Sequence, residues 1–416
     1  MLLHIPAALH HRQFRLLWAG LAISIAGSQM QLWALLWHIR LISDQPIALG
    51  GIGLARIVPV FFFSLIGGAV ADSANRRNVL FLTQSAMALV ALILAWLSFQ
   101  ERIALWHIYA LTAIQAVAIS FDLPARQALV PNLVPARDLP NAFSLQSIAF
   151  QFGSIVGPAL SGLVIAYWGQ PYAYLINAVS FLAVILALLL IGPVPQQILR
   201  REDKKVSLEA IKEGVRFIIS HPIILSSMLL DFFATFFSSA NTLMPIFARD
   251  VLRVGAIEYG WLSAAQSIGA AAAALIISQM NDIRRQGPIF LVSVIAFGLF
   301  TIAFGLSRTF LMAMLALVVV GAADSVSTII RNTIRQLQTP DHIRGRMTSI
   351  NQLFFLGGPQ LGEVEAGLAA QFFGAPLAVV TGGVGCILAV AWIAHRWPQL
   401  LSYNGDEPVK AGAVAG

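Results

Sequence analysis

Long apolar blocks separated by short charged breaks constrain this chain more than any other feature. Twelve such blocks of about 20 residues occur in the 416-residue sequence, and an apolar helix of that length crosses a bilayer core roughly 30 Å thick. Only 11% of the residues are charged, against about 25% in soluble domains. We therefore predict an all-α polytopic membrane protein with twelve transmembrane helices. The predicted spans are 14–40, 47–71, 78–99, 105–121, 142–167, 171–192, 222–247, 256–280, 288–306, 309–331, 344–373 and 375–395.

The placement of Lys and Arg predicts the topology. With the N-terminus inside, 20 of the 26 Lys and Arg residues fall on the inner side, five on the outer side, and Arg56 within a span. The positive-inside rule then places both termini in the cytoplasm, and we expect a multi-pass protein of the bacterial inner membrane, with the lipid bilayer as its solvent. Topology accounts for the net charge of +7, so no nucleic-acid partner is expected.

The sequence lacks the motifs of enzymes and metal sites. Cys386 is the single cysteine, which excludes a disulfide framework and a Cys-based metal site. No His-Glu-x-x-His pair, Gly-x-Ser-x-Gly elbow or Gly-x-x-x-x-Gly-Lys loop is present. We expect no enzyme activity, no cofactor and no metal, and ATP-driven transport is disfavoured. Residues 1–13 lack an apolar region with a cleavage site, so the first span is expected to serve as its own insertion signal.

A polar stretch, Gly192 to His221, divides the spans into six and six. We predict an N-terminal six-helix bundle at 1–192, a cytoplasmic linker at 193–221, a C-terminal six-helix bundle at 222–395 and a cytoplasmic tail at 396–416. After Ser207, apolar residues repeat at helical spacing with basic residues opposite, which predicts an amphipathic helix on the inner leaflet. The apolar residues are Leu208, Ile211, Val215 and Ile218, and the basic ones are Lys212 and Arg216. A solvated linker is the alternative.

A basic tight turn joins the second and third spans of each half. The first reads Gly68-Ala-Val-Ala-Asp72-Ser-Ala-Asn-Arg76-Arg77, and the second reads Ser278-Gln-Met-Asn-Asp282-Ile-Arg284-Arg285, about 210 residues later. The first turn resembles the loop motif of the major facilitator superfamily. That resemblance implies two pseudo-symmetric bundles, a glycine that permits close helix approach, and a cytoplasmic latch formed by the aspartate and the basic pair. Ser73 and Asn75 depart from the family pattern, and charges that merely obey topology are the alternative.

The fifth span carries small residues every four positions, at Gly153, Gly157 and Ser161, with Pro158 among them. This face lacks bulk, so another helix can approach it closely, and the proline removes a backbone hydrogen bond and bends the helix. The segment resembles the glycine-proline motif of the exporting branches of the superfamily. The resemblance implies outward transport; close packing without a transport direction is the competing interpretation.

Further segments resemble one subgroup, the enterobactin exporter family of major facilitators, and the similarity runs over nearly the whole chain. The segments begin at Phe121-Asp122, Leu230-Asp231, Gly321-Ala-Ala-Asp324, Thr339-Pro340-Asp341 and Leu361-Gly362-Glu363. The resemblance implies a secondary transporter that exports a small organic solute, such as a siderophore or an amphiphilic drug, by alternating access. It also implies coupling to a proton or other ion gradient, and a monomer. A solute importer and a non-transporting membrane sensor remain alternatives.

Charged residues inside the predicted spans are candidates for coupling and gating, because each costs roughly 3 kcal/mol or more at the bilayer centre. They are Arg56, Asp231, Asp324, Glu363 and Glu365, with Asp122 at the margin. Arg56 and Glu363 lie at matching depths, roughly 13–15 Å from the outer ends of their spans. In a major facilitator these two spans face each other, so we hypothesise a salt bridge that closes the outer gate and opens when Glu363 takes a proton. A static ion pair is the alternative.

Two polar stripes predict a central water-filled cavity. The stripe on the first span is Ser24, Ser28, Gln31 and His38, and that on the seventh is Ser227, Asp231, Thr235, Ser238 and Thr242. Aromatic residues nearby, including Trp33, Trp37, Phe232 and Phe236, favour an amphiphilic or aromatic solute over a sugar. Asp324 and Arg331 share a face of the tenth span at roughly 10 Å, which predicts no direct contact between them.

Overall fold

The computed structural model describes residues 6–196, 208–237, 240–280 and 283–405, and helices make up most of this part of the chain. Fourteen α-helical segments occur in it. They are α1 (Arg12–Ile42), α2 (Pro46–Ser73), α3 (Arg76–Phe99), α4 (Leu105–Leu129), α5 (Leu139–Tyr167), α6 (Gln170–Ile191), α7 (Leu208–Ser220), α8 (Pro222–Phe237), α9 (Met244–Ile246), α10 (Ala256–Ser278), α11 (Gln286–Leu306), α12 (Phe310–Leu337), α13 (Asp341–Phe373) and α14 (Ala375–Arg396).

The predicted twelve-helix membrane fold is confirmed. Eleven of the described segments are long and apolar enough to cross a membrane, with α8 and α9 belonging to one of them, Pro222–Val251. The twelfth is α13, whose 33 residues are ample for a span. It is more polar than the others because its sequence contains Arg344, Arg346, Glu363 and Glu365.

Two helices run further than predicted. The fourth span was expected to end at residue 121 and the tenth at 331, but α4 continues to Leu129 and α12 to Leu337. The reason is that apolar residues keep the helical period past the charges, and Leu129 and Ile334 are fully buried. Arg126 and Arg335, which the predicted boundaries leave beyond the ends of these spans, are helical residues.

The seventh span is not the continuous helix predicted at 222–247. The α-helix ends at Phe237, a 3-10 helix follows at Ala240–Leu243, and a π-turn covers Phe247–Val251 after α9. Thr242, Leu243 and Phe247 are buried. Irregular backbone at membrane depth is tolerated where protein surrounds it, and Pro245 at the start of α9 lacks the N–H that a continuous helix would need there.

Contacts between Cα atoms divide the chain into two units. The first is Met1–Lys204 with Val254–Ala264, and the second is Lys205–Arg253 with Ala265–Gly416. Residues 254–264, which include the first turns of α10, group with the first unit. The predicted domain boundaries place them in the C-terminal bundle instead.

Helix packing inside the first unit is repeated inside the second. In the first unit, α1 packs on α5 and α6, and α3 packs on α4 and α6. In the second unit, α8 packs on α13 and α14, and α11 packs on α12 and α14. Numbered by membrane span, the first span contacts the fifth and sixth spans, and the seventh contacts the eleventh and twelfth in the same way. Likewise, the third span contacts the fourth and sixth, and the ninth contacts the tenth and twelfth. This equivalence is the pseudo-symmetry predicted for the two halves.

The linker helix α7 divides its apolar residues between two surfaces. Phe217 and Ile218 are buried against Ile224 and Met228 of α8 and against Ile343, Met347 and Ile350 of α13. Val215, predicted on the same face as Ile218, is exposed instead. One apolar strip of α7 therefore packs on the second unit, which the single predicted membrane-facing strip did not anticipate.

The first part of the predicted tail is packed into the second unit. Leu400 and Tyr403 are buried in its core, and the Tyr403 carbonyl accepts a hydrogen bond from the Gly287 backbone N–H at 2.9 Å. A Cβ on Gly287 would overlap the Leu400 carbonyl oxygen, so glycine is required for this close approach. The side-chain amide of Gln338 donates to the Tyr403 hydroxyl at 3.3 Å. Residues 398–405 thus join the ends of α11 and α12.

The glycine that permits close helix approach in the first basic turn is Gly67, and the prediction of Gly68 was wrong. A Cβ on Gly67 would overlap the Ser120 carbonyl oxygen of α4, whereas a Cβ on Gly68 would meet nothing within 4 Å. The two residues are 100° apart on the helix, so only one of them can face α4.

Gly67→Ala is expected to destabilise the protein by about 1–3 kcal/mol, because α2 and α4 must move apart to admit the methyl group. Gly68→Ala is the matched control, and its melting temperature should equal or exceed that of the wild type, because the methyl group meets no neighbour and alanine favours the helix. Thermal unfolding of both purified variants in detergent, followed by size-exclusion chromatography, measures the difference. Equal melting temperatures for the two variants would contradict the assignment of Gly67 to the contact.

Candidate functional site

Two arginines are buried on α12 in the second unit. Arg331 and Arg335 are each 3% exposed, one helical turn apart. They lie on the face of α12 that also carries Ile330 and Ile334, so the apolar packing of this helix takes the arginines into the unit. Buried guanidinium groups need countercharges or hydrogen-bond acceptors, and the neighbouring helices supply them.

Arg331 contacts two aspartates. Its Nη1 atom lies 2.9 Å from Oδ1 of Asp231 on α8 and 3.8 Å from Oδ1 of Asp324 on its own helix. The prediction that Asp324 and Arg331 are too far apart for direct contact was wrong, because the long arginine side chain reaches back towards the N-terminus of its helix. Arg331 also donates to Oγ of Ser327 at 3.2 Å.

Arg335 is held by amide oxygens. Its Nη1 donates to Oδ1 of Asn351 on α13, and its Nη2 donates to Oδ1 of Asn332. The Thr339 hydroxyl donates to the Arg335 carbonyl at 2.6 Å. Arg335 is absent from the predicted site residues because the tenth span was predicted to end at 331. Its position four residues after Arg331, at helical spacing, is the signal that could have identified it.

The Asp231–Arg331 pair is an ion pair with incomplete hydrogen bonding. Both side chains are 3% exposed, and among the described residues neither Asp231 Oδ1 nor Arg331 Nε has a partner with hydrogen-bond geometry. Asp324 differs, since its side chain is 48% exposed. Arg331 thus lies between one buried and one accessible carboxylate. A buried pair depends on mutual attraction to offset desolvation, so a change of charge on either member shifts the local balance strongly.

The first unit holds an equivalent arginine in a different setting. Arg126 and Arg331 are 205 residues apart, as are Pro135 and Pro340, and each arginine reaches the side chain four residues before it. In the first unit that side chain is Asp122, which is buried and paired with Arg126 through Nη2. In the second unit it is Ser327, and the carboxylates come from α8 and from the preceding turn of α12.

Asp122 also receives two hydrogen bonds from α3. The side-chain amide of Gln84 donates to Oδ1 at 2.7 Å, and the Thr83 hydroxyl donates to the same oxygen at 3.1 Å. With Arg126 on its other oxygen, Asp122 has both carboxylate oxygens occupied. It was only a marginal candidate in the sequence. Its contacts indicate a structural anchor between α3 and α4.

The predicted latch residues of the first unit form a polar cluster. Arg76 donates through Nη1 to Oδ1 of Asn132 at 2.9 Å and through Nε to the Ala71 carbonyl at 3.2 Å. Arg77 donates to the Leu188 carbonyl at 2.8 Å, and Asp72 is half-buried. Asn75, where the family has glycine, caps α3 by accepting from the Asn78 N–H. The basic pair therefore ties α3 to α6 and to the end of α4.

The second latch is less regular. Asp282 lies outside the described residues. Arg284 and Arg285 are exposed, and Arg285 adopts a left-handed conformation with φ of 55° as the residue before α11. Non-glycine residues adopt this conformation infrequently, so Arg285 enters α11 in a strained backbone geometry.

The predicted cavity stripe on α1 is largely turned into the first unit. Gln31 is buried, donating to the Gln115 side chain at 2.9 Å and accepting from Asn177 at 2.8 Å. His38 lies 3.0 Å from the Tyr174 hydroxyl. These partners belong to α4 and α6, so the prediction that Gln31 and His38 face a water-filled cavity is corrected. In a low-dielectric interior polar side chains seek each other, which spacing alone does not reveal.

The remaining members of the stripes divide by exposure. Ser24 is buried and Ser28 is half-buried. Ser227 is buried, and its hydroxyl donates to the Ile224 carbonyl, which corrects its assignment to the cavity. Thr235 is half-buried and donates to the Asp231 carbonyl at 2.8 Å. Ser238 lies outside the described residues. A serine or threonine that bonds to its own helix backbone needs no water, so a polar stripe overestimates the wetted surface.

The aromatic residues near these stripes also differ in their surroundings. Trp33 and Trp37 are buried and contact the Tyr259 ring, at centroid distances of 6.0 and 4.8 Å. They are packing residues in the first unit. Phe232 and Phe236 of α8 are half-buried and stacked at 5.9 Å, one and five residues after Asp231.

The small face of α5 is directed at α1. A Cβ on Gly153 would lie 2.6 Å from Cγ2 of Ile25, and one on Gly157 would lie 2.5 Å from Cβ of Gln29. Ser161 is fully buried, and Pro158 lies within the helix. The absence of side chains at the two glycines sets the separation of α1 and α5.

Arg56, Glu363 and Glu365 are all half-buried in their helices. Arg56 belongs to the first unit and both glutamates belong to the second. The salt bridge between Arg56 and Glu363 remains a prediction from the sequence.

The fold is shared with solved transporters. A bacterial homologue of the human lysosomal transporter Spinster has a TM-score of 0.70 at 14% identity, covering 96% of this chain and 97% of that one. A bacterial homologue of the iron transporter ferroportin has a TM-score of 0.68 at 16% identity, covering 94% and 99%. At these identities the likeness extends to the fold alone.

Sequence relatives carry more specific names. The enterobactin exporter EntS of Citrobacter koseri is 26% identical over 354 residues, covering 85% of this chain and 84% of the relative. The enterobactin exporter EntS of Salmonella choleraesuis is 28% identical over 326 residues, covering 78% and 77%. The family model described as transmembrane secretion effector matches residues 5–406. The chain belongs to this transmembrane secretion effector family of the major facilitator superfamily, a family of membrane transporters.

Proposed function

We propose that this protein exports a small organic solute of the siderophore class across the bacterial inner membrane, and that proton entry drives the export. The relatives named enterobactin exporters support the substrate class and the direction. The buried Asp231–Arg331 pair carries the proposal of proton coupling, since an incompletely hydrogen-bonded carboxylate beside a guanidinium is a group whose protonation changes its surroundings. The distribution of Lys and Arg supports cytoplasmic termini, and a monomer suffices for the mechanism.

In the proposed cycle, a proton neutralises Asp231 and Arg331 shifts its attraction to Asp324. The two carboxylates lie 2.9 and 3.8 Å from the same Nη1 atom, so the exchange needs only a small movement of one side chain. Loss of the charge on Asp231 weakens the link between α8 and α12. Alternating access then follows from a change in the packing of α8, with solute and proton moving in opposite directions.

Asp231→Asn tests this coupling because it imitates the protonated carboxyl group. In proteoliposomes, enterobactin accumulation driven by an imposed pH gradient should fall roughly 5- to 150-fold, the range expected for a coupling free energy of about 1–3 kcal/mol. Counterflow of labelled enterobactin needs no net proton movement and should persist. Asp44→Asn, at an aspartate whose side chain is 91% exposed, is the matched control and should behave as wild type.

Two outcomes would count against the proposal in different ways. Gradient-driven accumulation at the wild-type rate in Asp231→Asn would remove Asp231 as the coupling group. Absence of counterflow in the wild-type protein with enterobactin, while other solutes exchange, would remove the substrate class. Solute leaving or entering vesicles under an inward acid gradient separates an exporter from an importer, and a sensor of this fold would show no counterflow with any solute.

The hypothetical outer gate makes a separate prediction. Glu363→Gln should lose proton-driven transport, because the neutral side chain cannot re-form a salt bridge with Arg56, while Glu365→Gln should retain it. The two glutamates are about 200° apart around α13, so they cannot share a partner. The same proteoliposome assay measures both variants. Normal proton-driven efflux by Glu363→Gln would refute the gate.

A further inference from the structure

Helix α7 carries a second apolar strip that its protein contacts leave uncovered. Ile219 is 63% exposed and Val215 is 39% exposed, while Phe217 and Ile218 are buried against α8 and α13. Lys212 and Arg216 are exposed as well. With 100° between successive residues, Lys212, Val215, Arg216 and Ile219 fall on one side of the helix, within an arc of about 100°. The exposed side thus combines two cations with two apolar side chains.

The position of α7 relative to the bilayer is fixed by its short joint with α8. Only His221 separates Ser220, the last residue of α7, from Pro222, where the membrane-crossing segment begins. The Ser220 hydroxyl donates to the Phe217 carbonyl at 2.9 Å, and the His221 ring lies 4.0 Å from the Phe217 ring. Such a joint holds the end of α7 at the boundary between membrane and water.

From these observations, we propose that Lys212, Val215, Arg216 and Ile219 form a binding surface for anionic phospholipid headgroups. The two cations pair with lipid phosphates, and the two apolar side chains enter the boundary between headgroups and acyl chains. Glu213, an exposed acid among the described side chains of this helix, lies about 160° around it from Val215 and borders the strip on its Arg216 side, so the strip keeps a net positive charge of one. Charge complementarity and the position at a membrane surface favour lipid over a protein partner.

The consequence is a lipid-sensitive anchor on the candidate site. The buried side of α7 contacts Ile224 and Met228 of α8 and Met347 of α13, and these helices also carry Asp231 and Asn351. Lipid bound to the exposed side therefore fixes the cytoplasmic ends of two helices of the site. The anchor depends on the membrane fold and on no assumption about the transported solute.

A fluorescent label at position 219 tests the proposal. Ile219→Cys is made in a Cys386→Ala background, so that the label has one target, and an environment-sensitive dye is attached to the purified full-length protein in detergent. Titration with short-chain phosphatidylglycerol should move the emission to the blue, and short-chain phosphatidylcholine should not. The double variant Lys212→Gln/Arg216→Gln should bind phosphatidylglycerol more weakly, which raises the half-saturating lipid concentration by roughly fivefold for each cation removed.

Controls separate the possible outcomes. Ser402→Cys, labelled in the same background, should report no shift, because this exposed serine lies outside α7. Inorganic phosphate should produce no shift, and added salt should reverse the response to phosphatidylglycerol. Equal responses to the two lipids, an unchanged response in the double variant, or an equal shift with inorganic phosphate would each overturn the proposal. All labelled variants keep the buried side of α7, and their melting temperatures verify that they are folded.

Discussion

The cost of burying Arg331 among membrane helices governs the arrangement of the second unit. A guanidinium in this setting needs partners within reach, and they come from α8 through Asp231 and from α12 through Ser327 and Asp324. Arg335, one turn later, requires Asn351 of α13 in the same way. Three helices are thus held in register by charge and amide groups, where apolar packing alone would allow them to slide.

Each unit buries an arginine beside an aspartate, but the two aspartates differ in how fully they are hydrogen-bonded. Asp122 in the first unit accepts from Arg126, Gln84 and Thr83, so its charge is fully compensated by neighbours on α3 and α4. Asp231 in the second unit relies on ionic attraction to Arg331, without full hydrogen bonding. The repeat-related arginines therefore differ in how completely their carboxylate partners are hydrogen-bonded.

Hydropathy and charge were sufficient to predict the twelve helices, because these follow from the bilayer as solvent. The two-half fold was predicted from the repeated basic turn and from the family resemblance. Features that depend on neighbouring helices were not predictable. Gly67 and Gly68 are alike in sequence, and only the approach of α4 separates their roles. Leu400 and Tyr403 are buried, but the sequence around them has no helical or strand periodicity from which burial could be predicted. The spacing of polar residues on α1 predicts that Gln31 faces a cavity, because spacing cannot show that Asn177 and Gln115 form hydrogen bonds with its side chain.

The broken seventh span explains how a change at Asp231 can remain local. Its helix α8 has 16 residues and ends at Phe237, and the 3-10 and π segments that follow are not aligned with the α-helical hydrogen-bond pattern. An unbroken helix would carry any movement of Asp231 along its full length. An interrupted one can shift or rotate on one side of the break, because irregular backbone absorbs changes in dihedral angle. Under the proposed coupling, Asp231 lies on a short helix that precedes such a break, so the energetic cost of its rearrangement is confined to the end that carries the charge.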